Sequence, residues 1–538
     1  MGLLSHVLDN AVLGVEVLVA GLIVYALSTA IYNRYFHPLK DIPGPFWASI
    51  TTLWYFRAVR YGRAQDHQLP IHKKYGKFVR IAPNQVQIMD ATAVETIYGS
   101  KYEFPKGEFY DNFITNINPK RIDGFSERNE ARHTERRRMV APIYTQGAVL
   151  EYEPCVDRVI ELFHRQMERF AASGEIFDMS VWLRKYTFDV IGEMFYGKEG
   201  GFGFIRDNID YGQWCHLMDV MPNPVAALNN IPWGFRSLYF LSELLYPETR
   251  AGAKGFSTTI KQAHEAMKQR LDDMAAGRPY NPHDTLSKLI DIAHDDKNDF
   301  HILDATTEIW AIIWAGSDTT SIALTAIFYF LHKHPHTLAK LRAEVDDAFA
   351  SGALKYPVRF NDAIKLPYLH AVVLEAMRVH PSLGTGLPRV VPPPGVDISG
   401  RFFPAGTGVI MNQNAVHFDK TVFGADAEEF IPERWLRDND GGKNAAYMER
   451  HMMHFGHGKR ICIGRHITNT EMYKLLPVVL RDFDFEMVRD DEGQWEWEVW
   501  AGWFHQQKNV MVKARRRERR GRSEGVELQS GLLDPEGA

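Results

Sequence analysis

Phe455-Gly-His-Gly-Lys-Arg-Ile-Cys-Ile-Gly464 is a glycine-rich loop that delivers one cysteine to the start of a helix. The apolar run Ile463 to Leu476 supplies that helix, and its free backbone N–H groups and positive dipole end favour a thiolate over a thiol. Gly458 and Gly464 remove side chains where backbone must lie close to a flat ring, Arg460 offers a partner to a carboxylate, and Phe455 shields the sulfur from water. An anionic sulfur beneath a flat, carboxylate-bearing ring describes the axial side of a haem. A thiolate pushes more electron density onto an iron that splits dioxygen than imidazole does. Cys462 is therefore predicted to ligate a haem iron. A lone cysteine in an apolar run is usually a core residue, but five fixed positions in Phe-x-x-Gly-x-Arg-x-Cys-x-Gly arise by chance on the order of 10⁻⁴ times per chain. A phosphate-binding reading fails, because no Ser or Thr follows Lys459 and the first glycine is misplaced.

A haem needs a second wall. Asp304 to His334 reads as one long helix ended by Pro335, and it contains Ala315-Gly-Ser-Asp-Thr-Thr320. Ala311, Ala315 and Thr319 fall at i, i+4 and i+8 and share a face small enough to leave room for oxygen and substrate. Gly316 is expected to weaken the local hydrogen-bond ladder and admit water. Thr319 is predicted to hold a proton donor on the oxygen side, with Asp318 feeding protons in from solvent.

Glu375-Ala-Met-Arg378 puts an acid and a base at i, i+3 on a helix. Such pairs are normally exposed and weak, yet the flanks Leu366 to Leu374 and Met377 to Leu383 are apolar. A buried pair needs further partners, and Arg434 in Pro432-Glu-Arg-Trp435 is the available third member. All three are assigned to scaffold support of the cysteine loop, not to catalysis.

Together these motifs resemble the cytochrome P-450 family over nearly the whole chain after its N-terminal segment. The resemblance implies that family's mainly α fold with a small β region, haem lying between the oxygen-side helix and the cysteine loop. Amphipathic stretches such as Val156 to Ala172 and Ala305 to Leu331 read as helices, and residues 75–90 and 390–412 as strands. For the propionates the resemblance points to His133, Arg137 and Arg389; many relatives carry Trp where His133 stands. A solvated basic helix face accounts equally well for Arg136 and Arg138. The acid and alcohol pair Asp318-Thr319 marks members that activate oxygen, so a monooxygenase inserting one oxygen atom from O2 is expected. The runs Val391 to Gly400, Asn412 to His417, Phe423-Gly424 and Pro432 to Trp435 look most like fungal microsomal members of pisatin-demethylase type.

The 76 residues after Cys462 are too few for a fused reductase, so electrons would come from a separate protein; the resemblance implies an NADPH-cytochrome reductase, with cytochrome b5 as a further partner. Lys459 is a candidate docking contact. Expected pocket walls are Phe104 to Phe113, Ala311 with Trp310 or Trp314, Leu383 to Leu387, and Trp500 to Phe504, which suit a bulky apolar molecule. By resemblance that molecule is a fungal terpenoid, alkaloid or polyketide.

Ala11 to Ile31 is long and apolar enough to cross a bilayer, with Glu16 its one charge. The absent basic n-region and the length of the run disfavour a cleaved signal, and Arg34 and Lys40 after the span put the rest on the cytoplasmic side. The expected division is a lumenal segment 1–10, an anchor 11–32, a proline-rich hinge 33–45, a catalytic domain 46–513 and a polar basic tail 514–538, single-pass in the endoplasmic reticulum. The stretch Met221 to Leu241 reads either as a buried helix connection or as a surface dipping into lipid. A net charge of -5 argues against nucleic acid, and three cysteines in 538 residues give no disulfide framework. Two rival functions are a haem protein that isomerises or dehydrates without spending NADPH, and a magnesium-dependent terpene synthase suggested by Asp295-Asp-Lys-Asn-Asp299.

Overall fold

Apolar residues at helical spacing make Glu153–Ser173, Met179–Tyr196 and Ile302–Lys333 helices that bury one another in a computed structural model describing residues 2–113, 117, 121–231, 236–436, 445–489 and 497–518. Every residue of Met179–Tyr196 except Val181 is buried, the charged Arg184, Lys185, Asp189 and Glu193 included. Asp178 caps its start by accepting from the Ser180 N–H, and Gly197, at a φ of 61°, ends it. Across it runs the central helix Ile302–Lys333. Its length and hydropathy would suit a membrane span, but 72% of its apolar window is buried, so it is a core helix.

The predicted strands form a sheet in the order Phe78–Ala82, Gln85–Ile88, Gly408–Ile410, Arg389–Val390. The middle pair is parallel and the outer pairs antiparallel. Smaller sheets join Ile176–Asp178, Met511–Arg516 and Phe483–Met487, and pair Glu498–Ala501 with His505–Lys508. Mainly helical structure with small sheets matches the expectation.

The helix Gly2–Ile31 continues through a π-turn, Tyr32–Phe36. Its apolar window, Val12–Phe36, has mean hydropathy 2.1 and none of it is buried in the protein. The hinge then docks on the first strand: the Arg80 N–H donates to the Pro43 carbonyl at 2.8 Å. A Cβ at Gly44 would lie 2.3 Å from the Arg80 carbonyl oxygen, so only glycine fits there.

In the stretch from Met221 to Leu241, Pro222, Asn223, Pro224, Ala226 and Ala227 are buried, as the helix-connection reading expects, and Leu241 is exposed. Pro232, Trp233 and Phe235 lie outside the described residues. The tail boundary at 514 moves: strand Met511–Arg516 runs through it, and Arg517 pairs with Asp346 at 2.8 Å. Residues 519–538 lie outside the described residues, as does Met1 of the predicted lumenal segment. The aspartate run 295–299 is an interhelical turn in which the Asp295 carboxylate accepts from the Lys297 N–H and Asp299 pairs with Arg121. No cluster with metal-ligand character occurs among the described residues.

Glu471, in the helix Arg465–Asp482, is fully buried with neither carboxyl oxygen hydrogen-bonded, and burial raises its pKa well above the usual value. The folded protein keeps this acid neutral while the unfolded chain ionises near ~4.3. Its contribution is therefore largest at low pH and declines as pH rises, by about 1.4 kcal/mol per unit until the folded group ionises too. Glu471→Gln should gain stability over the parent as pH rises above the range where the unfolded carboxyl ionises, read in denaturant titrations. A stability difference constant with pH would contradict a neutral Glu471.

Candidate active site

The cysteine loop closes on itself: the Cys462 N–H donates to the Phe455 carbonyl at 2.8 Å. Gly464, at a φ of -82°, starts the helix Arg465–Asp482. The thiol pKa is raised by burial, and the backbone N–H groups of Gly464 and Arg465 together with the Arg137 and Arg465 charges oppose that rise. Even so, Cys462 is the most accessible of the three cysteines. Cys155 is buried with its pKa pushed up to about 11, and Cys215 is raised further. Gly458 is required for a different reason from the one expected. At a φ of 64° its Cβ would sit 1.9 Å from the Tyr98 carbonyl oxygen, so the loop is pressed against its neighbouring chain.

The helix Glu130–Val140 brings His133, Arg136 and Arg137 inward. Arg137 donates to the Ile461 carbonyl at 2.8 Å, beside Cys462. Arg389 donates to the Tyr110 hydroxyl at 2.9 Å. His133 is buried, with Nδ1 lacking a hydrogen bond, and its pKa falls to about 3 through burial and then the charges of Arg460, Lys106, Arg137 and Arg389. Lys106, which sequence reasoning missed, is buried in the same cluster. Its ammonium lies 4.1 Å from the Tyr110 ring and 4.3 Å from the Phe125 ring, and burial followed by Arg389 and Arg460 lowers its pKa far below normal. Nothing in the local pattern around Lys106 marks it as buried.

Arg460 Nη2 pairs with Glu130 at 2.8 Å and donates to the Glu127 carbonyl, so Arg460 anchors the cysteine loop to the helix Glu130–Val140. Arg137 and Arg389 keep positive charge, with Lys106 beside them, around an orphaned His133 nitrogen. Such a group fits two propionates. Of the two bases for which a solvated helix face is one of the open readings, Arg136 is buried and pairs with Glu308 at 2.9 Å and Asp304 at 3.3 Å, while Arg138 is exposed.

On the central helix, Ala311, Ala315 and Thr319 are the accessible row, while Ser317, Asp318 and Thr320 are buried. The predicted small face therefore exists. The Thr319 hydroxyl donates to the Ala315 carbonyl at 2.7 Å, and the Thr320 hydroxyl lies 3.0 Å from that of Thr468, tying this helix to the one after Cys462. Gly316 does not loosen the helix, which is continuous. A Cβ there would meet Ile191 at 2.7 Å, so the glycine serves close packing against Met179–Tyr196. Asp318 lies off the accessible row, fully buried. One carboxylate oxygen accepts from Gln506 at 2.8 Å and the other is 3.1 Å from Arg184 Nε. Burial raises its pKa and Arg184 opposes the rise. Arg184 also pairs with Asp219 at 2.8 Å, and Lys508 is 3.8 Å from Asp219, so a line of charge runs from Asp318 to the surface.

Glu375, Arg378 and Arg434 form the predicted buried triad. Glu375 accepts from both arginines at 2.8–2.9 Å, from the Trp435 indole and from the Ile431 N–H. Arg378 also donates to the carbonyls of His417, Ala427 and Glu429. His417, unnoticed in the sequence, transmits this order. Its Nδ1 donates to the Arg378 carbonyl at 3.0 Å and its Nε2 accepts from the Met453 N–H at 2.8 Å, two residues before Phe455.

Of the expected pocket walls, Phe109, Phe113, Leu383, Leu387, Trp503 and Phe504 gather in one apolar cluster, with Phe113 and Trp503 rings 4.8 Å apart. Trp310 and Trp314 turn the other way. They pack on Phe256, and the Trp310 indole donates to Thr259. Trp500 covers Gly62.

Residues 43–513 match the family model described as Cytochrome P-450. A cytochrome P-450 monooxygenase of Penicillium aethiopicum is 35% identical over 503 residues, covering 92% of this chain and 98% of that protein. A pisatin demethylase of Fusarium vanettenii is 34% identical over 531 residues, covering 96% and 97%. A cytochrome P-450 monooxygenase of Emericella nidulans is 34% identical over 488 residues, covering 89% and 94%.

Proposed function

The chain belongs to the cytochrome P-450 family, and from that premise we propose that Cys462 Sγ would ligate its haem iron, with Lys106, Arg137, Arg389 and His133 as the residues that would hold the propionates. As a member it is a haem-thiolate monooxygenase supplied by NADPH through a redox partner. Haem bound there supplies the dioxygen chemistry, while the protein supplies binding, orientation and protons.

The observation that carries the assignment is the contrast among the cysteines: Cys462 alone combines accessibility, two backbone N–H groups and two arginines. Phe455 and the closed loop hold its sulfur and keep water from it. On the oxygen side, Ala311 and Ala315 leave room and Thr319 Oγ1 holds a proton, replenished from Asp318, while the permanently charged Arg184 holds Asp318 and Asp219 in line without itself passing a proton. Arg460 and the Glu375 triad are positioning groups.

Thr319→Ala should lower coupled turnover on the order of 10²-fold and divert electrons to peroxide, read as peroxide released per NADPH consumed, with Thr319→Ser recovering most of the loss. Equal peroxide yields in parent and alanine variant would remove Thr319 from proton handling.

The aromatic and aliphatic cluster of Phe109, Phe113, Leu383 and Trp503 supports a bulky apolar substrate. The relatives are fungal monooxygenases, one of them named for demethylating pisatin. By that likeness the substrate is a secondary metabolite of terpenoid, alkaloid or polyketide type. Val12–Phe36 anchors the chain in the endoplasmic reticulum, with exposed Tyr35, Phe36, Phe46 and Trp47 at the interface and the catalytic domain cytoplasmic. NADPH-cytochrome reductase, and cytochrome b5, would dock on the cysteine side near exposed Lys459.

A further inference from the structure

Gln506 lies in the strand His505–Lys508, 3% exposed, and is assigned to no role above. Its amide nitrogen donates twice, to the Asp318 carboxylate at 2.8 Å and to the Met218 carbonyl at 2.8 Å. Both neighbours are acceptors, so only the NH2 end of the amide satisfies them. The other Asp318 oxygen, although 3.1 Å from Arg184 Nε, has no hydrogen bond of acceptable geometry. Among the described residues, therefore, the one directional contact fixing this buried carboxylate comes from Gln506. Arg184 attracts it without orienting it.

The strand is itself tied down. Gln507 donates to the Ile322 carbonyl at 3.1 Å, the His505 N–H to the Ser382 carbonyl at 2.9 Å, and the Ser382 hydroxyl to the Thr319 carbonyl at 2.7 Å. Gln506 is thus held in register with the turn of the central helix that carries Asp318 and Thr319. Phe504, two residues earlier, belongs to the apolar cluster of Trp503 and Leu383. Side chains at i and i+2 of an extended strand share a face, so one rigid segment presents an apolar wall and, next to it, the clamp on Asp318.

We propose that Gln506 is a positioning residue whose amide holds the Asp318 carboxylate turned away from the accessible row of the central helix, so that proton movement through Asp318 requires that hydrogen bond to open. This rests on Asp318 handling protons, as proposed above. Gln506→Met keeps the bulk and removes both donors, and Gln506→Asn keeps the amide but shortens its reach.

The test is infrared spectroscopy of the haem-loaded full chain, with the Asp318 carboxyl band identified by its loss in Asp318→Asn. That band should shift in Gln506→Met and shift less in Gln506→Asn. NADPH oxidation without added substrate, in the presence of a reductase, should rise severalfold in Gln506→Met, and the rise should vanish in the Asp318→Asn background. A band unmoved in Gln506→Met, or a rise undiminished in the double variant, would overturn the clamp. If the band shifts but Asp318→Asn leaves the peroxide yield per NADPH at the parent value, the clamp stands and the role of Asp318 in proton delivery fails.

Discussion

Cys462→Ser is expected to abolish turnover and the thiolate spectral signature together while leaving the fold in place. The serine hydroxyl is nearly isosteric, and the loop depends on main-chain contacts, the Cys462 N–H to Phe455 and Arg460 to Glu130, that the substitution leaves intact. An alcohol, however, stays protonated where a thiol does not. The Gly464 and Arg465 N–H groups and Arg137 offset the burial of a thiolate, but they cannot bring a hydroxyl within reach of ionisation at neutral pH. The variant should be soluble, show the parent's far-ultraviolet circular dichroism and lack NADPH-dependent product formation. Turnover equal to the parent would place the axial ligand elsewhere.

The second large effect concerns stability. Glu375 is fully buried and balances Arg378 and Arg434, which are themselves buried. Glu375→Gln keeps the shape and removes the charge, leaving two guanidinium groups in the interior with Asp426, half-exposed, as the acid left beside Arg434. Breaking a buried pair in this way costs about 3–5 kcal/mol, a large part of the 5–15 kcal/mol or so that separates folded from unfolded domains. Because His417 bonds both the Arg378 carbonyl and the Met453 N–H, the damage should reach the cysteine loop. Urea titration should show the loss of stability, and the ratio of haem to protein should fall. An unchanged ratio and midpoint would reduce Glu375 to a spectator.

The parts of this site that were legible in the sequence are those encoded by short spacings. The loop around Cys462, the row Ala311, Ala315 and Thr319, and the i, i+3 pair Glu375 and Arg378 each announce themselves within a dozen residues. What stayed hidden is set by packing between distant segments. Arg460 looked free for a carboxylate because its partner, Glu130, lies far back in the chain; Lys106 and His133 draw their electrostatics from four separate segments. Arg184 and Gln506 bracket Asp318 from a helix and a strand on either side of it in sequence. Helical periodicity also shows that residues share a face without showing what the face meets. For that reason Trp310 and Trp314, plausible as pocket walls, turn out to pack on Phe256, and Gly316 serves Ile191 instead of a widened helix.

The central claim, that Cys462 presents a thiolate to the haem iron, is tested most directly by the absorption spectrum of the reduced, haem-loaded parent protein under carbon monoxide. A strongly red-shifted Soret band, absent from Cys462→Ser, is the predicted result. A Soret band at the position given by an imidazole-ligated haem, or one unchanged by Cys462→Ser, would contradict it.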